Sequence, residues 1–223
     1  EYWPMVREIC TKYDILLIAD EVMTGCGRTG KSFAVNHWDV VPDIIATAKG
    51  LAAGYVPTGG IIAKTSIVEA LKNGSGAFMH GHTYNGNPMS AAAVVAVFKY
   101  MKEHNIVDNA AKMGEKLGEG LKKIGAANPM VGDVRGKGLM WGFELVKDKA
   151  TKEPFEKKLG ASALATKECI EEGLIIYPGS GQVEGLAGDN FLIAPPLIIN
   201  EAQVDELLCK LEAGLASAAK KLA

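Results

Sequence analysis

Two short apolar runs, each ended by a charged residue, constrain this chain more than any other feature. Ile15-Leu16-Leu17-Ile18-Ala19 stops at Asp20, and Ile44-Ile45-Ala46-Thr47-Ala48 stops at Lys49. Continuous rather than alternating apolar residues are expected of strands in a parallel sheet covered on both faces. Gly59-Gly60-Ile61-Ile62-Ala63 reads as a third strand, and the 22 residues between Asp20 and Asp43 are enough for a crossover. This part of the chain is expected to be α/β.

Asn87-Pro88 then opens a long helix, with Asn as cap and Pro at the first helical position, running to about His104. A second helix follows, with apolar residues at Ile106, Ala110, Met113, Leu117, Leu121 and Ile124, spaced by threes and fours. Beyond it the pattern changes. Val131 to Arg135 and Leu139 to Val146 read as strands around Gly136-Lys137-Gly138. A helix over roughly 159–172 stops at Gly173, and Leu174 to Tyr177 reads as another strand. A last helix opens at Asn200 and presents Val204, Leu207, Leu208, Leu211 and Leu215. The expected organisation is two domains, 1–105 and 106–223, the second α+β. The chain opens at Glu1 within a helix-like stretch, YWPMVREICTKYD, which leads us to expect a fragment or a trimmed chain.

Composition excludes several classes. Over 223 residues, 48% are hydrophobic and 22% charged, the balance of a chain with a real core rather than a disordered one. The formal net charge is −2, with no basic stripe carrying interleaved aromatics, which argues against nucleic acid as a partner. The longest apolar run, Ala91 to Phe98, is far short of the ~20 residues of a membrane span. Cys10, Cys26, Cys169 and Cys209 form no C-x-x-C pair and read as reduced thiols, so a cytoplasmic location is expected.

Gly25-Cys26-Gly27-Arg28-Thr29-Gly30-Lys31-Ser32 satisfies the phosphate-loop pattern G-x-x-x-x-G-K-[ST] at every position. Such a loop must leave a strand directly and enter a helix. Here Glu21 to Thr24 intervene, and Pro42 arrives too soon for the flanking helix. Nucleotide binding through Gly25–Ser32 therefore stands as the alternative, beside a folded fragment with no catalytic role.

The strand ends offer another reading. In doubly wound sheets, ligands bind at the carboxyl edges of the parallel strands, where Asp20 and Lys49 would both sit. An acid and an amine so placed suit pyridoxal 5′-phosphate, which needs a lysine for its Schiff base and an acid opposite the pyridinium nitrogen. On spacing alone, Asp20 as a loop cap and Lys49 as a solvated turn residue is the simpler account. His80 and His82 could pair on a metal, but no third ligand has suitable spacing, so they read as turn residues. Glu21, on the opposite face from Asp20, reads as structural.

The strings LLIADEVMTGCGRTG, PDIIATAKGLAAGYVPTGG, GHTYNGNPMSAAA, VRGKGLMWGFELVKDKATKEPF and the late APPL, in this order, resemble the class III pyridoxal-phosphate aminotransferases, the ω-aminotransferase group of fold type I. The resemblance covers nearly the whole chain. It implies part of a large, parallel-rich cofactor domain over 1–105 and a small α+β domain over 106–223. The reaction implied is transfer of an amino group from an amine or ω-amino acid to a 2-oxo acid. It further implies Lys49 as the catalytic Schiff-base lysine and proton shuttle, Asp20 at the pyridine nitrogen, and Val22 against the ring. Thr83 would bind the phosphate of a neighbouring subunit's site, with His82 beside it, so a homodimer with shared sites is expected. Cys26 stands where the family usually has an aromatic residue, which implies a packing change and no new chemistry. Leu192 stands where glutamate-using members carry an arginine, so pyruvate is expected to be favoured over 2-oxoglutarate. The family's upstream half, with its phosphate cup, has no counterpart in the sequence, and the 223 residues alone are expected to be inactive.

Overall fold

A computed structural model describes residues 1–222, which fall into two compact units, one ending at Asp108 and the other beginning at Asn109. The first unit opens with helix α1 (Tyr2–Lys12). Asp14 follows in the left-handed region (φ 53°), and the Ile15 N–H reaches back to the Cys10 carbonyl at 2.8 Å, a six-to-one closure of the helix end. Strand β1 is therefore shorter than the apolar run that announces it. Ile15 is used to close the helix, and only Ile18–Asp20 pairs. Strand β2 (Ile44–Thr47) lies parallel to β1, with Ile18 opposite Ile44 and Asp20 opposite Ala46. Strand β3 (Gly60–Ala63) runs antiparallel on the other side of β2. Helices α2 (Thr65–Asn73) and α3 (Pro88–Glu103) complete the unit.

The core of this unit is small: Leu17, Ala19, Val35 and Val40, with Trp3, Val6, Phe33, Trp38 and Ile45 packed around them. Asp43 ties it together at the amino end of β2. Its carboxylate accepts hydrogen bonds from the Leu17 N–H (2.8 Å), from Arg7 of α1 (2.7 Å) and from Lys64 (2.7 Å). Burial alone would raise this carboxyl. The three donors outweigh it and hold Asp43 well below the usual carboxylate range. The sheet departs from the expectation that both faces are covered. Ile18 is 60% exposed and Ile61 66% exposed, because the residues that pack on it cover only part of its surface. Likewise α3, apolar almost all round, has no buried residue.

The second unit carries α4 (whose full span is Ile106–Ala127), β4 (Val131–Lys137), β5 (Met140–Leu145), α5 (Ala161–Glu171), β6 (Tyr177–Val183), β7 (Ala187–Ile193) and α6 (Glu201–Leu222). Its four strands are antiparallel in the order β4-β5-β7-β6. Phe143 and Phe191 are cross-strand partners whose rings stack at 4.8 Å in a core with Leu117, Leu121, Leu139, Leu211 and Leu215. α6 begins with a reciprocal cap, in which the Gln203 N–H donates to the Asn200 side chain and the Asn200 N–H to the Gln203 side chain, both at 3.0 Å. The strand expected at Leu174–Tyr177 begins only at Tyr177. Gly173 (φ 77°) ends α5, and the Leu174 N–H closes it onto the Cys169 carbonyl at 2.8 Å. Strand β6 escapes notice in the sequence because it carries two glycines. At Gly179 a Cβ would lie 2.3 Å from the Asn190 side-chain oxygen, so any larger residue there must displace that side chain.

Candidate active site

The parallel pair places Asp20 and Lys49 at the same end of the sheet. Asp20 is the last residue of β1 and faces Ala46, three residues before Lys49 in the chain. Lys49 follows the end of β2 and opens a short 3-10 helix, Lys49–Ala52, with its backbone left-handed at φ 43°. Both side chains are exposed. One Asp20 oxygen accepts the Val22 N–H at 3.0 Å, and this is the only hydrogen bond made by that carboxylate among the described residues. Lys49 makes no side-chain hydrogen bond or ion pair among them. Val22 is half-buried beside this pair in sequence.

Glu21 takes the other face of the strand end and has a different job. It is 1% exposed, and its carboxylate accepts from the Thr24 hydroxyl at 2.5 Å and the Val35 N–H at 2.9 Å. Those two bonds fold the segment after β1 back over the core, fixing the loop that leads to Cys26. The Cys26 thiol is buried and lies 3.6 Å from the Thr47 hydroxyl. Burial raises it, the Thr47 hydrogen bond lowers it and the Glu21 charge raises it, with a net upward shift. It is therefore a neutral thiol. The Cys26–Thr47 contact was not legible in the sequence; a hydroxyl two residues before the lysine was its only trace.

His82 and Thr83 lie in an exposed tight turn, in which the Asn85 N–H donates to the His82 carbonyl at 2.9 Å. This turn leads into α3, whose first N–H groups from Met89 and Ser90 are taken by the Asn87 side chain. Helix α3 packs on the 3-10 helix that carries Lys49. The rings of His80 and His82 meet edge-on at 5.4 Å. The segment Gly25–Ser32 is a series of turns that leads into a five-residue 3-10 helix, Ala34–Trp38, instead of an α-helix. The phosphate-loop geometry is thus missing there.

A carboxylate with a free oxygen and an unpaired amine at one end of the parallel pair have the chemistry that pyridoxal phosphate needs at its ring nitrogen and carbonyl carbon, and the unpaired Thr83 hydroxyl ahead of a 16-residue helix has the chemistry to meet a phosphate.

In the second unit, Leu192 lies on β7 in a cross-strand row with Gly142, Arg135 and Tyr177. The guanidinium of that row is already engaged, since Arg135 pairs with both Asp133 and Glu144.

Comparison with known proteins agrees with this geometry. The family model for class III aminotransferases matches residues 1–215. An uncharacterized aminotransferase of Bacillus subtilis, YodT, is 40% identical over 99% of this chain and 50% of its own length. A putrescine–pyruvate aminotransferase of Pseudomonas aeruginosa is 41% identical over 93% of this chain and 45% of its own. Among solved structures, a transaminase from the marine bacterium Virgibacillus superposes with a TM-score of 0.93 at 38% identity, over all of this chain and 49% of that one. An amine transaminase from an uncultivated Pseudomonas species, in its pyridoxal-phosphate-bound form, gives 0.89 at 37% identity over 97% and 48%. The chain spans about half the length of the curated relatives it matches. On the match to residues 1–215 and the fold it shares with these transaminases, the chain belongs to the class III aminotransferases, a pyridoxal-phosphate-dependent family of fold type I.

Proposed function

We propose that this chain supplies the lysine and the aspartate of a pyridoxal-phosphate-dependent transaminase, which moves an amino group from an amine or ω-amino acid to a 2-oxo acid. The observation that carries this reading is the placement of Asp20 and Lys49 at one end of the parallel pair, both exposed and each with a free functional atom. When bound, the cofactor supplies an electron sink for the substrate's Cα–H electrons. The chain's residues do the rest. Lys49 Nζ, held by no ion pair, would take the proton from the substrate Cα and hold it for return to the carbon of the cofactor's former aldehyde. The free Asp20 oxygen accepts a hydrogen bond from a protonated ring nitrogen and so keeps it charged. The Val22 N–H fixes the other oxygen and thereby the carboxylate plane. Thr83 offers its hydroxyl, and His82 its neighbouring backbone, to the phosphate of a partner subunit's site in a homodimer.

The acceptor is pyruvate in preference to 2-oxoglutarate. In support, Leu192 stands on β7 where glutamate-using members carry an arginine for the α-carboxylate, and the guanidinium of its cross-strand row is bound by Asp133 and Glu144. A relative at 41% identity bears pyruvate in its name. Because the matched relatives are about twice as long, turnover requires the part of such an enzyme that lies outside the match. No helix among the described residues is long and apolar enough to cross a membrane. On its four free cysteines we place the enzyme in the cytoplasm.

The test is to fuse this chain to the unmatched half of the Bacillus relative and measure rates with pyruvate and 2-oxoglutarate under one amine donor. The fusion should favour pyruvate, and Leu192→Arg should shift that ratio toward 2-oxoglutarate by about tenfold, the worth of one charge-assisted fork. A wild-type preference for 2-oxoglutarate would overturn the acceptor assignment. A Lys49→Ala fusion that still turns over would overturn the lysine.

A further inference from the structure

The Cys26 side chain comes from outside the Lys49 segment and lies against residues on both sides of that lysine. Its Sγ lies 3.6 Å from the Thr47 hydroxyl, two residues before Lys49. On the other side it backs directly onto Gly50: a Cβ at Gly50 would sit 3.1 Å from Cys26 Cβ and 3.9 Å from its Sγ. Between those contacts Lys49 is left-handed at φ 43°, a conformation that L-residues rarely adopt. Non-glycine residues stay in such conformations only where their surroundings over-determine them. Cys26 is itself left-handed at φ 54°, and its loop is anchored by the buried Glu21 through Thr24 and Val35. The same loop leaves the strand that ends in Asp20. A continuous set of contacts thus runs from the Asp20 strand end, through Glu21 and Cys26, to the residues flanking Lys49.

We propose that Cys26 is a positioning residue for Lys49: wedged against Thr47 and Gly50, it holds the strained turn that sets the lysine relative to the end of β1. This rests on the reading of Lys49 as the reactive amine. The thiol acts through its volume and its weak hydrogen bond with Thr47, and it touches no reacting atom. Serine keeps the shape and the hydrogen bond, whereas alanine leaves Thr47 and Gly50 unsupported.

The test uses the 223-residue chain without cofactor. Trace acetic anhydride labelling with mass spectrometry gives the reactivity of Lys49 as a function of pH, with exposed Lys31 as the internal reference. Hydrogen exchange reads the Leu51 and Ala53 amides, which close the turn onto Ala48 and Gly50 at 2.8 and 3.1 Å. Cys26→Ala should speed exchange at both amides about tenfold and shift the labelling profile of Lys49 but not of Lys31, with the urea midpoint unchanged. Cys26→Ser should restore both readouts. Thr47→Val, which removes the hydroxyl and keeps the volume, should move them in the same direction as alanine and serves if Cys26→Ala does not fold. Lys49 labelling and exchange within about twofold of wild type in Cys26→Ala, or in Thr47→Val should alanine not fold, would overturn the proposal. These readouts are independent of the cofactor. A chain that shows them, but whose fusion to the unmatched half of the Bacillus relative never fixes pyridoxal phosphate at Lys49, would refute the transaminase reading and leave the brace standing.

Discussion

Gly118 sits in the middle of α4, where alanine would ordinarily be the better residue by about 1 kcal/mol. The structure predicts the opposite sign. A Cβ at position 118 would lie 2.1 Å from the Trp141 ring, well inside van der Waals contact. Swinging the indole aside is not free, because its N–H donates to the Gly138 carbonyl at 2.8 Å and Lys122 lies over the ring at 5.5 Å. Overpacking at such a site costs about 1–3 kcal/mol. Losing the indole hydrogen bond adds roughly 1 kcal/mol. Set against the helix gain, Gly118→Ala should destabilise the second unit by about 1–3 kcal/mol. Urea unfolding followed by far-ultraviolet circular dichroism measures this in every variant, including those that lack Trp141. A double-mutant cycle with Trp141→Phe locates the cause: the smaller ring should relieve the alanine, with a coupling of about 1 kcal/mol. An unchanged or raised midpoint for Gly118→Ala would refute the reasoning, as would strict additivity with Trp141→Phe.

Other perturbations have equally definite signs. Asp43→Asn should cost about 3 kcal/mol, because it leaves Arg7 and Lys64 facing a neutral amide at a side chain only 11% exposed. The native carboxyl is depressed, so the unfolded chain takes up this proton first. Its contribution is complete above pH ~4 and falls away as pH drops below that. Wild type should therefore lose its advantage over Asp43→Asn progressively below pH ~4 in acid titrations of the urea midpoint, and an advantage that grows on acidification would contradict the assignment. Lys149 donates to the carbonyls of Gly125, Ala126 and Asn128 at 2.7, 3.1 and 3.0 Å, closing the carboxyl end of α4. Lys149→Met should lower stability by about 1–3 kcal/mol and speed exchange in the last turn of that helix, whereas an unchanged urea midpoint would show the cap to be idle.

The sequence made the helices legible where one amphipathic face decided the matter. Ile106, Ala110, Met113, Leu117, Leu121 and Ile124, read from their spacing, are all buried in the structure. It misplaced strand starts for a common physical reason. Ile15 and Leu174 are apolar and head their runs, yet each gives its N–H to the end of the preceding helix, and apolarity does not report that use. Strand β7 was hidden because residues 187–193 mix Gly, Asp and Asn with apolar residues. Asp189 is buried there only because one of its oxygens accepts the Ser162 N–H at the start of α5. The expectation of a covered sheet failed for Ile18 and Ile61, since what covers a strand is a property of the packed chain and not of the strand.

The candidate site was legible in part. Asp20 and Lys49 could be located from the apolar runs they end, because parallel strands of similar length deliver their last residues to one edge. The supporting contacts could not. Glu21 to Val35 spans 14 residues and Cys26 to Thr47 spans 21, pairings that depend on how the intervening loop folds. The opposite faces of the adjacent Asp20 and Glu21 did follow from strand geometry, one exposed and the other buried against the core.

The most direct test of the central claim is to incubate the chain, alone and fused to the unmatched half of the Bacillus relative, with pyridoxal phosphate, to reduce with borohydride, and to map the modified peptide by mass spectrometry. The account predicts a reduced adduct on Lys49 in the fusion, in preference to Lys31, Lys64 and Lys72, and its loss in Lys49→Ala. An adduct spread over the exposed lysines of the fusion, or one confined to a residue other than Lys49, would contradict it.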